Sequence, residues 1–409
     1  MNRILILIQL LLLWPAFATA QPAYETPPEL KASQILPPEL VVGPNHKVEE
    51  KVESDGFLFH YTIDSQWGQL EAVSTPTLKK RIHELNAMAE MEQLKGTQEF
   101  KNGVEQMAGK LVSGAENLVT DPGGSVKKIG KGIGGLFKSV GGVFTGKGSE
   151  HGSTEGNTLE RVSGFSKTER QYAQRFDVDP YSRNELLQKE LSDVSKAGFL
   201  GSTITSLGLG QVVGRAAGVI SAAGDVSDPV HTKSPDQLRE INRKKLEAME
   251  VDKDVIDLFT KNTNFTITEQ TAIVEALTEM DGVDGRADFV KFAVLTDSPL
   301  LANFRTLQAH LYSVYTDKWQ KLQQFVHFGD LACAQAVDGT IVVAAPVDDL
   351  FWTEQIAEHI NTLNGAILET NPEARRVLWI VGDFSPRAEK EMKALGWELR
   401  PRALEKIKD

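Results

Sequence analysis

The stretch Gly339–Val347, GTIVVAAPV, decides the fold of the C-terminal part of this 409-residue chain. It is continuously apolar and β-branched at its centre, which is typical of a strand buried on both faces. A second run of this kind, RVLWIVG at Arg376–Gly382, follows after Leu350–Leu363, whose apolar residues have helical spacing. Strands that alternate with helices pair in parallel through right-handed crossovers. We therefore predict two neighbouring parallel strands, of which Val377–Val381 is central and buried.

The rest of the C-terminal region extends this pattern. We expect Asn364-Gly365 to end the first helix, and we predict a second helix at Pro386–Leu395, closed by Gly396. Trp397–Leu399 then has the composition of a third short strand. Residues 332–409 are thus predicted to be an α/β unit with a short parallel sheet.

Carboxylates follow both predicted strands. Asp348 and Asp349 come directly after the first strand, and Asp383 follows the second. Parallel strands end at the same edge of a sheet, where open α/β sheets bind ligands, and carboxylates there suit Mg²⁺ and phosphoryl chemistry. A metal-dependent hydrolase is therefore one hypothesis. The alternative is structural, because Asp349 and Ser385 also stand where N-cap residues of the two helices are expected.

The N-terminus, Met1–Ala20, has the organisation of a cleaved signal peptide. A single cation, Arg3, precedes the apolar run Ile4–Leu13, and Ala18–Ala20 form a small-residue cleavage signal. The apolar run is shorter than the roughly 20 residues that a membrane-spanning helix needs. We expect export to the periplasm or the medium, with the mature chain beginning at Gln21.

Two short regions follow the signal peptide. Residues 21–46 are rich in proline, which removes backbone donors and favours extended conformations, so we predict a linker. Residues 47–73 contain short alternating runs on either side of a turn at Ser54–Gly56, which predicts a small antiparallel β element. Such an element is marginally stable alone, so one face is expected to pack on the rest of the protein.

Most of the remaining chain has helical periodicity. Residues 74–120 predict amphipathic helices that begin near Pro76, and residues 159–331 predict a helical domain that includes Ala287–Phe328. The predicted fold class is therefore α+β: a mostly helical body with a small N-terminal antiparallel β element and the C-terminal α/β unit.

Residues 121–158 contain a glycine- and lysine-rich segment, KKIGKGIGGLFKSVGGVF at Lys127–Phe144, which has no acidic residue. Its apolar residues recur at helical spacing and lysines lie on the other side, so it predicts an amphipathic helix. Each of its six glycines costs about 1 kcal/mol relative to alanine, about 6 kcal/mol in all, so the isolated helix is unstable. Burial of the apolar side chains, worth roughly 1.5–3 kcal/mol each, exceeds that cost. The predicted contact residues are Lys127, Ile129, Lys131, Ile133, Leu136, Phe137, Lys138, Val140 and Phe144.

Several partner surfaces remain open for this segment. It suits an anionic membrane surface, where each lysine adds about 1 kcal/mol, or an envelope protein. A neighbouring helix of the same chain is the third possibility, and a glycine-rich loop without a partner is the fourth.

A second glycine-rich segment lies at Ala197–Gly224, within the predicted helical domain. Gly210, Gly214 and Gly218 are spaced four residues apart, which lets two helices approach closely. Arg215 would cost about 2.5–3.5 kcal/mol in a bilayer centre, which disfavours a stable membrane span. We predict a tight helical hairpin buried in a soluble bundle; if the first segment binds a membrane or a partner, we expect this second segment to assist it.

Composition and motifs exclude several functions. The formal net charge of −12 disfavours a nucleic-acid-binding protein, because phosphates require a basic face. The eight histidines include no zinc-protease pair, and no phosphate-binding or dinucleotide-binding loop is present, so we expect no cofactor. The single cysteine, Cys333, is expected to be a small buried residue. The favoured hypothesis is an exported, non-enzymatic interaction protein, with the metal-dependent hydrolase or an envelope scaffold without a ligand as alternatives.

Overall fold

The computed structural model describes most of the chain, and all structural statements below concern the described ranges, which are 23–98, 100–105, 165–195, 227–328 and 331–403. The predicted signal peptide, the Lys127–Phe144 segment and the Ala197–Gly224 segment lie outside the described residues.

The N-terminal part forms an antiparallel sheet, as predicted. Strand β5 (Phe59–Ser65) pairs along one side with β6 (Gly68–Val73) and along the other with β3 (His46–Val48) and β4 (Lys51–Ser54). The stretch predicted as a linker also contributes to this sheet. It contains the strands and short helices β1 (Leu30–Lys31), α1 (Ala32–Ile35), α2 (Pro38–Val41) and β2 (Val42–Gly43).

Helix α3 (Thr75–Gly96) covers one face of this sheet. It begins as the sequence predicts, with Ser74 as the N-cap and proline in the first turn, where a missing N–H is tolerated. Leu78 and Leu85 are fully buried against Ile63 and other apolar residues of the sheet. Their burial fixes α3 on the sheet, because apolar surface removed from water is the main stabilising term.

The central part of the described chain is helical through residue 318, which confirms that part of the prediction. Thr266 and Glu269 form a reciprocal capping box at one helix start, and Ser234 and Gln237 form another. The helices are α4 (Phe165–Arg175), α5 (Glu185–Ser195), α6 (Ser227–Thr232), α7 (Pro235–Ala248), α8 (Lys253–Lys261), α9 (Ile267–Glu279), α10 (Arg286–Val294) and α11 (Pro299–Lys318).

The C-terminal sheet is mixed. Its strand order is β13-β11-β9-β8-β7. Strand β11 pairs in parallel with both β9 and β13, whereas β8 pairs antiparallel with both β9 and β7. The predicted parallel strands are confirmed, since Arg376–Ile380 lies beside Ile341–Ala345. The elements are β7 (Leu322–Phe328), β8 (Leu331–Ala336), β9 (Ile341–Ala345), β10 (Asp349–Leu350), α12 (Glu354–Thr370), β11 (Arg376–Ile380), β12 (Asp383–Phe384), α13 (Pro386–Ala394) and β13 (Trp397–Arg400).

The helical prediction for residues 322–328 is wrong, because these residues form β7. The strand has a register shift between Leu322 and Gln324, so Leu322 and Phe325 are both buried although they are three residues apart. A bulge of this kind gives a strand the apolar spacing of a helix. The periodicity therefore indicated the wrong element.

The predicted end of the first C-terminal helix is also wrong. Helix α12 begins at Glu354 and passes through Asn364-Gly365 to Thr370. Asn364 lies inside the helix because its side-chain oxygen accepts a hydrogen bond from Arg376 Nη1 at 2.9 Å. This tertiary contact overrides the local preference of the dipeptide for a turn.

The two faces of the C-terminal sheet are covered by different helices. Val342 and Trp379 belong to a core that includes Tyr312 and Tyr315 of α11. The alternate residues of the same strands, including Ile380, lie on the opposite face of the sheet and pack against residues of α12 and α13. Both faces are therefore buried, as the uninterrupted apolar runs predict.

Replacing the fully buried Ile380 by Asp tests the central position of β11. The carboxylate would enter the core without a partner, so we expect the free energy of unfolding to fall by about 3–5 kcal/mol in chemical denaturation. Val337→Asp is the control, since Val337 is 61% exposed. Equal stability of the two variants would contradict the assignment.

Candidate functional site

The structure brings the predicted aspartates together at one edge of the C-terminal sheet. Strands β10 and β12 are parallel and continue beyond β9 and β11, with Asp349 opposite Asp383 in the ladder. Asp348 immediately precedes this pair. The sequence therefore located these side chains correctly at the carboxyl end of the parallel strands.

Asp348 binds the N-terminal part of the protein. It is 5% exposed, and its carboxylate accepts hydrogen bonds from the backbone N–H of Phe59 at 2.9 Å and of Thr75 at 2.8 Å. Its own N–H donates to Phe57 O at 2.9 Å, and its carbonyl oxygen accepts from Asp383 N at 3.1 Å. We call this set of contacts the Asp348 junction. Burial raises the pKa of Asp348, and the two N–H donors oppose that shift.

Asp349 and Asp383 are also engaged within the protein. Asp349 Oδ1 accepts a hydrogen bond from Asp383 N at 2.8 Å, and Asp383 Oδ2 accepts from Arg402 Nε at 2.9 Å and Nη2 at 2.8 Å. Burial, together with the charges of Asp383 and Asp348, raises the pKa of Asp349 to about 6. The Asp349 carboxylate therefore stabilises the pairing of β10 with β12. The Asp383 carboxylate fixes the residues after β13 by its hydrogen bonds with Arg402.

The edge itself is covered by the N-terminal part of the chain. Gly56 O accepts from Phe351 N at 2.9 Å, next to the contacts of Phe57 in the Asp348 junction. Glu25 adds a further contact, because its carboxylate accepts from Trp352 N and from Ser385 Oγ, both at 2.6 Å. The crevice that an open α/β sheet offers to a ligand is thus occupied by this chain's own backbone.

The three aspartates do not form the predicted metal site. Within the described ranges, no group of three His, Cys, Asp or Glu side chains is arranged to hold a metal ion. The carboxylates that were expected to face a cation accept backbone or guanidinium hydrogen bonds instead. The metal-dependent hydrolase is therefore not supported by this geometry.

The helix-capping alternative is half correct. Ser385 caps α13, since its side chain accepts from Ala388 N at 3.0 Å. Asp349 caps no helix, because α12 begins four residues later than expected and its N-cap is Thr353. Cys333 is fully buried, as expected, and burial raises the pKa of its thiol to about 12, which makes it unreactive.

A second feature, which sequence reasoning missed, is a cavity of about 270 Å³ between helices. It is bounded by the first turns of α3, α9 and α11, by the connection between α4 and α5, and by α6. We call it the interhelical cavity. Its lining includes Lys80, Asp179, Arg183, Glu269, Asn303 and Leu307.

Three ion pairs lie on the walls of the interhelical cavity, namely Lys80–Asp179, Arg183–Glu269 and Arg81–Glu84. Lys80 Nζ is 3.2 Å from Asp179 Oδ2, and Arg183 Nη1 is 2.6 Å from Glu269 Oε1. Burial opposes the charge on both members of the first pair. The surrounding carboxylates nevertheless raise the pKa of Lys80, and Lys80 and the Thr268 hydroxyl lower the pKa of Asp179, so both remain charged. No local motif relates Lys80 to Asp179, which is 99 residues away in the sequence.

Three of the four described flanks of the two glycine-rich segments lie at the same end of a helical layer; the fourth, α6, lies at the other end, where His231 Nε2 donates to Val178 O at 2.8 Å. Helices α3 and α5 run in the same direction, because Glu84 of α3 contacts Asn184 at 2.9 Å while Lys95 contacts Glu190 at 2.5 Å. Helices α4 and α5 pack on each other across a short connection, so they form a hairpin. The end of α3, the start of α4 and the end of α5 therefore share one end of this layer.

No protein-family model, no curated protein and no solved structure matches this chain.

Replacing Gly382 by Ala tests the close contact between β10 and the end of β11. A Cβ atom at this position would lie 1.1 Å from Asp348 O, so the backbone has to move. We expect a loss of stability of about 2 kcal/mol or more in thermal or chemical unfolding. Gly365→Ala is the control: its Cβ meets nothing within 4 Å and the residue is helical, so it should stabilise by about 0.5–1 kcal/mol.

The raised pKa of Asp349 predicts a specific pH dependence. The pKa of Asp349 is about 6 in the folded state and near 3.9 in the unfolded state. The protonated carboxyl therefore contributes its full stabilisation at pH values below about 3.9. That contribution is lost as pH rises through about 6. Asp349→Asn keeps the oxygen that accepts from Asp383 N but removes the titration.

We therefore expect the stability difference between the wild type and Asp349→Asn to change by about 2 kcal/mol from about pH 4 to pH 7, in favour of the variant at pH 7. Urea denaturation at both pH values measures this difference. A difference independent of pH would contradict the assignment.

Proposed function

We propose that this protein is an exported, non-enzymatic interaction protein of a bacterial-type envelope that binds an anionic membrane surface through Lys127–Phe144. The observation that carries this proposal is the segregation of charge. Four lysines and no acidic residue lie in this 18-residue segment of a chain whose formal net charge is −12. A cationic face next to apolar residues suits the boundary between headgroups and acyl chains.

The proposal assigns different roles to the residues of the segment. Lys127, Lys131 and Lys138 approach the headgroups, where electrostatic attraction acts. The apolar residues enter the boundary region and are Ile129, Ile133, Leu136, Phe137, Val140 and Phe144. The Ala197–Gly224 segment assists, because Gly210, Gly214 and Gly218 allow a second helix to approach closely. An acidic envelope protein is the alternative partner.

The geometry of the described flanks supports joint action of the two segments. One segment lies between α3 and α4 in the sequence, and the other follows α5. Since these helices present three of their ends at the same side of their layer, the first segment is attached there through both of its flanks and the second through α5. No helix within the described ranges has the length and apolarity to cross a bilayer, so the proposal is surface contact.

The non-enzymatic assignment is supported by the edge of the C-terminal sheet, where Asp348, Asp349 and Asp383 engage the protein's own backbone and Arg402. Export is supported by the organisation of Met1–Ala20 as a cleavable signal peptide.

The test is co-sedimentation of the chain lacking Met1–Ala20 with phosphatidylglycerol vesicles. Changing Lys127, Lys131 and Lys138 to Gln should weaken binding by about 3 kcal/mol, roughly a hundredfold. Binding should also weaken as salt rises past about 0.15 M, where the Debye length is near 8 Å. Phe137→Asp should weaken binding by placing a carboxylate on the apolar face.

The matched control changes three exposed lysines of the described body, Lys244, Lys318 and Lys393, to Gln. Their side chains are 69%, 56% and 60% exposed, so the net charge changes equally without altering the segment. Equal losses in the two triple variants, or binding that survives both segment changes, would show that Lys127–Phe144 is not the membrane contact. Failure of the wild type to bind vesicles would leave the envelope protein as the partner to test.

A further inference from the structure

Residues 23–29 form an extended strap that leads from β1 of the N-terminal sheet to the edge of the C-terminal sheet. None of the side chains of the strap is buried, and Tyr24, the largest of them, is 40% exposed. The first buried residue after the strap is Ala32, whose N–H donates to Glu50 O at 2.9 Å. Release of the strap therefore uncovers no buried side chain of its own, and segments with so few apolar contacts open locally at low cost.

Glu25 holds the strap on the C-terminal sheet. Its N–H donates to Trp352 O at 2.8 Å, and its Oε2 accepts from Trp352 N and from Ser385 Oγ, both at 2.6 Å. The Ser385 hydroxyl also accepts from Ala388 N as the N-cap of α13. The fold therefore binds one carboxylate beside a helix N-terminus, where negative charge is stabilised, and it bonds the backbone of the residue that carries this carboxylate.

The contacts of Glu25 recognise an extended residue with a carboxylate, whichever chain supplies that residue. The neighbouring carboxylates do not use the same donors, because Asp349 accepts from Asp383 N and Asp383 accepts from Arg402. The strap has the advantage of its covalent connection to β1, since a short tether gives an effective concentration in the millimolar range. A free peptide must therefore make a contact that the strap lacks in order to displace it.

Such a contact is open next to Pro27 of the strap. Pro27 lines an open pocket together with the carboxylates of Asp55, Glu354 and Glu358. His60 Nε2 lies 3.3 Å from Asp55 Oδ2, and no lysine or arginine of the described residues lines the pocket. Proline carries no charge, so a peptide with lysine or arginine two residues after its glutamate would gain an attraction that the strap lacks.

We infer that this edge of the C-terminal sheet is a docking site for an extended peptide of a partner protein, with a glutamate in the position of Glu25 and a cation in the position of Pro27. The strap is the internal segment that occupies the site until such a peptide displaces it. This inference rests on the described residues and is independent of the proposed membrane contact.

The test uses the chain lacking Met1–Ala20 and the acetylated peptide AYETPPEL, which has the sequence of residues 23–30. Glu25→Ala removes the internal carboxylate, so the peptide no longer competes with it. We expect the peptide to bind the Glu25→Ala chain with a dissociation constant in the millimolar range, and the wild type about tenfold more weakly. An NMR titration that follows the Trp352 amide measures both affinities.

Three further readings come from the Glu25→Ala chain. Hydrogen exchange of the Trp352 amide should be faster than in the wild type and should slow down again when the peptide is added. A peptide with glutamine in place of its first glutamate should bind about tenfold more weakly. AYETKPEL, with lysine in the position of Pro27, should bind about threefold or more tightly, and this gain should shrink as salt is added.

Ser385→Asp, introduced into the Glu25→Ala chain, tests the carboxylate position directly. Aspartate is as good an N-cap as serine, so α13 is preserved, but its carboxylate repels that of the peptide and removes the hydroxyl donor. We expect AYETPPEL to bind about tenfold or more weakly. Ser298→Asp is the matched control, because Ser298 is the N-cap of α11 and the change in charge is the same. It should leave the affinity unchanged.

Four results would overturn the inference. These are absence of peptide binding to the Glu25→Ala chain, equal affinities of the wild type and Glu25→Ala, equal affinities of the glutamate and glutamine peptides, and equal effects of Ser385→Asp and Ser298→Asp. Glu25 would then be a structural contact alone. Equal binding of AYETPPEL and AYETKPEL would overturn the position of the cation.

Discussion

The Asp348 junction is the contact on which the arrangement of the described chain depends. One buried carboxylate accepts N–H groups from β5 and from the first residue of α3, while the backbone of the same residue bonds to Phe57 and Asp383. A buried carboxylate that lost these donors would be destabilised by several kcal/mol, so the N-terminal sheet, α3 and the C-terminal sheet favour one another's position. The close approach of Gly382 to Asp348 O strengthens this constraint, because only glycine leaves room for it.

This constraint explains why the most suggestive carboxylates in the sequence do not make a metal centre. An open α/β sheet normally leaves the carboxyl ends of its strands free for a ligand. In this protein, Gly56, Phe57 and Glu25 occupy that edge, and the aspartates satisfy backbone groups there. A cavity of about 270 Å³ lies elsewhere, where the first turns of three helices meet beside the Lys80–Asp179 pair. The sites that this fold offers to a ligand are therefore set by how its layers dock.

The elements that the sequence predicted correctly are those whose conformation is determined by neighbouring residues. The apolar runs of β9 and β11, the start of α3 at Pro76 and the cap at Ser385 are properties of neighbouring residues, and the structure confirms them. The errors have non-local causes. The bulge in β7 imitates helical spacing, and the contact of Asn364 with Arg376 carries α12 through a turn dipeptide. Likewise, Asp348 bonds to Phe59, 289 residues away, and Lys80 pairs with Asp179, 99 residues away, so no spacing rule indicates either site.

Positive charge is concentrated in one segment of an otherwise acidic chain. Since Lys127–Phe144 carries four positive charges and no negative one, the rest of the chain has a formal net charge of −16. An anionic surface would repel this remainder, but the repulsion is screened beyond a Debye length of about 8 Å at physiological salt. With residues up to 120 helical, as the sequence predicts, the 21 residues between Glu105 and Lys127 reach up to about 40 Å, which exceeds that length several-fold. The cationic segment is thus able to contact an anionic surface while the acidic body stays beyond the range of strong repulsion.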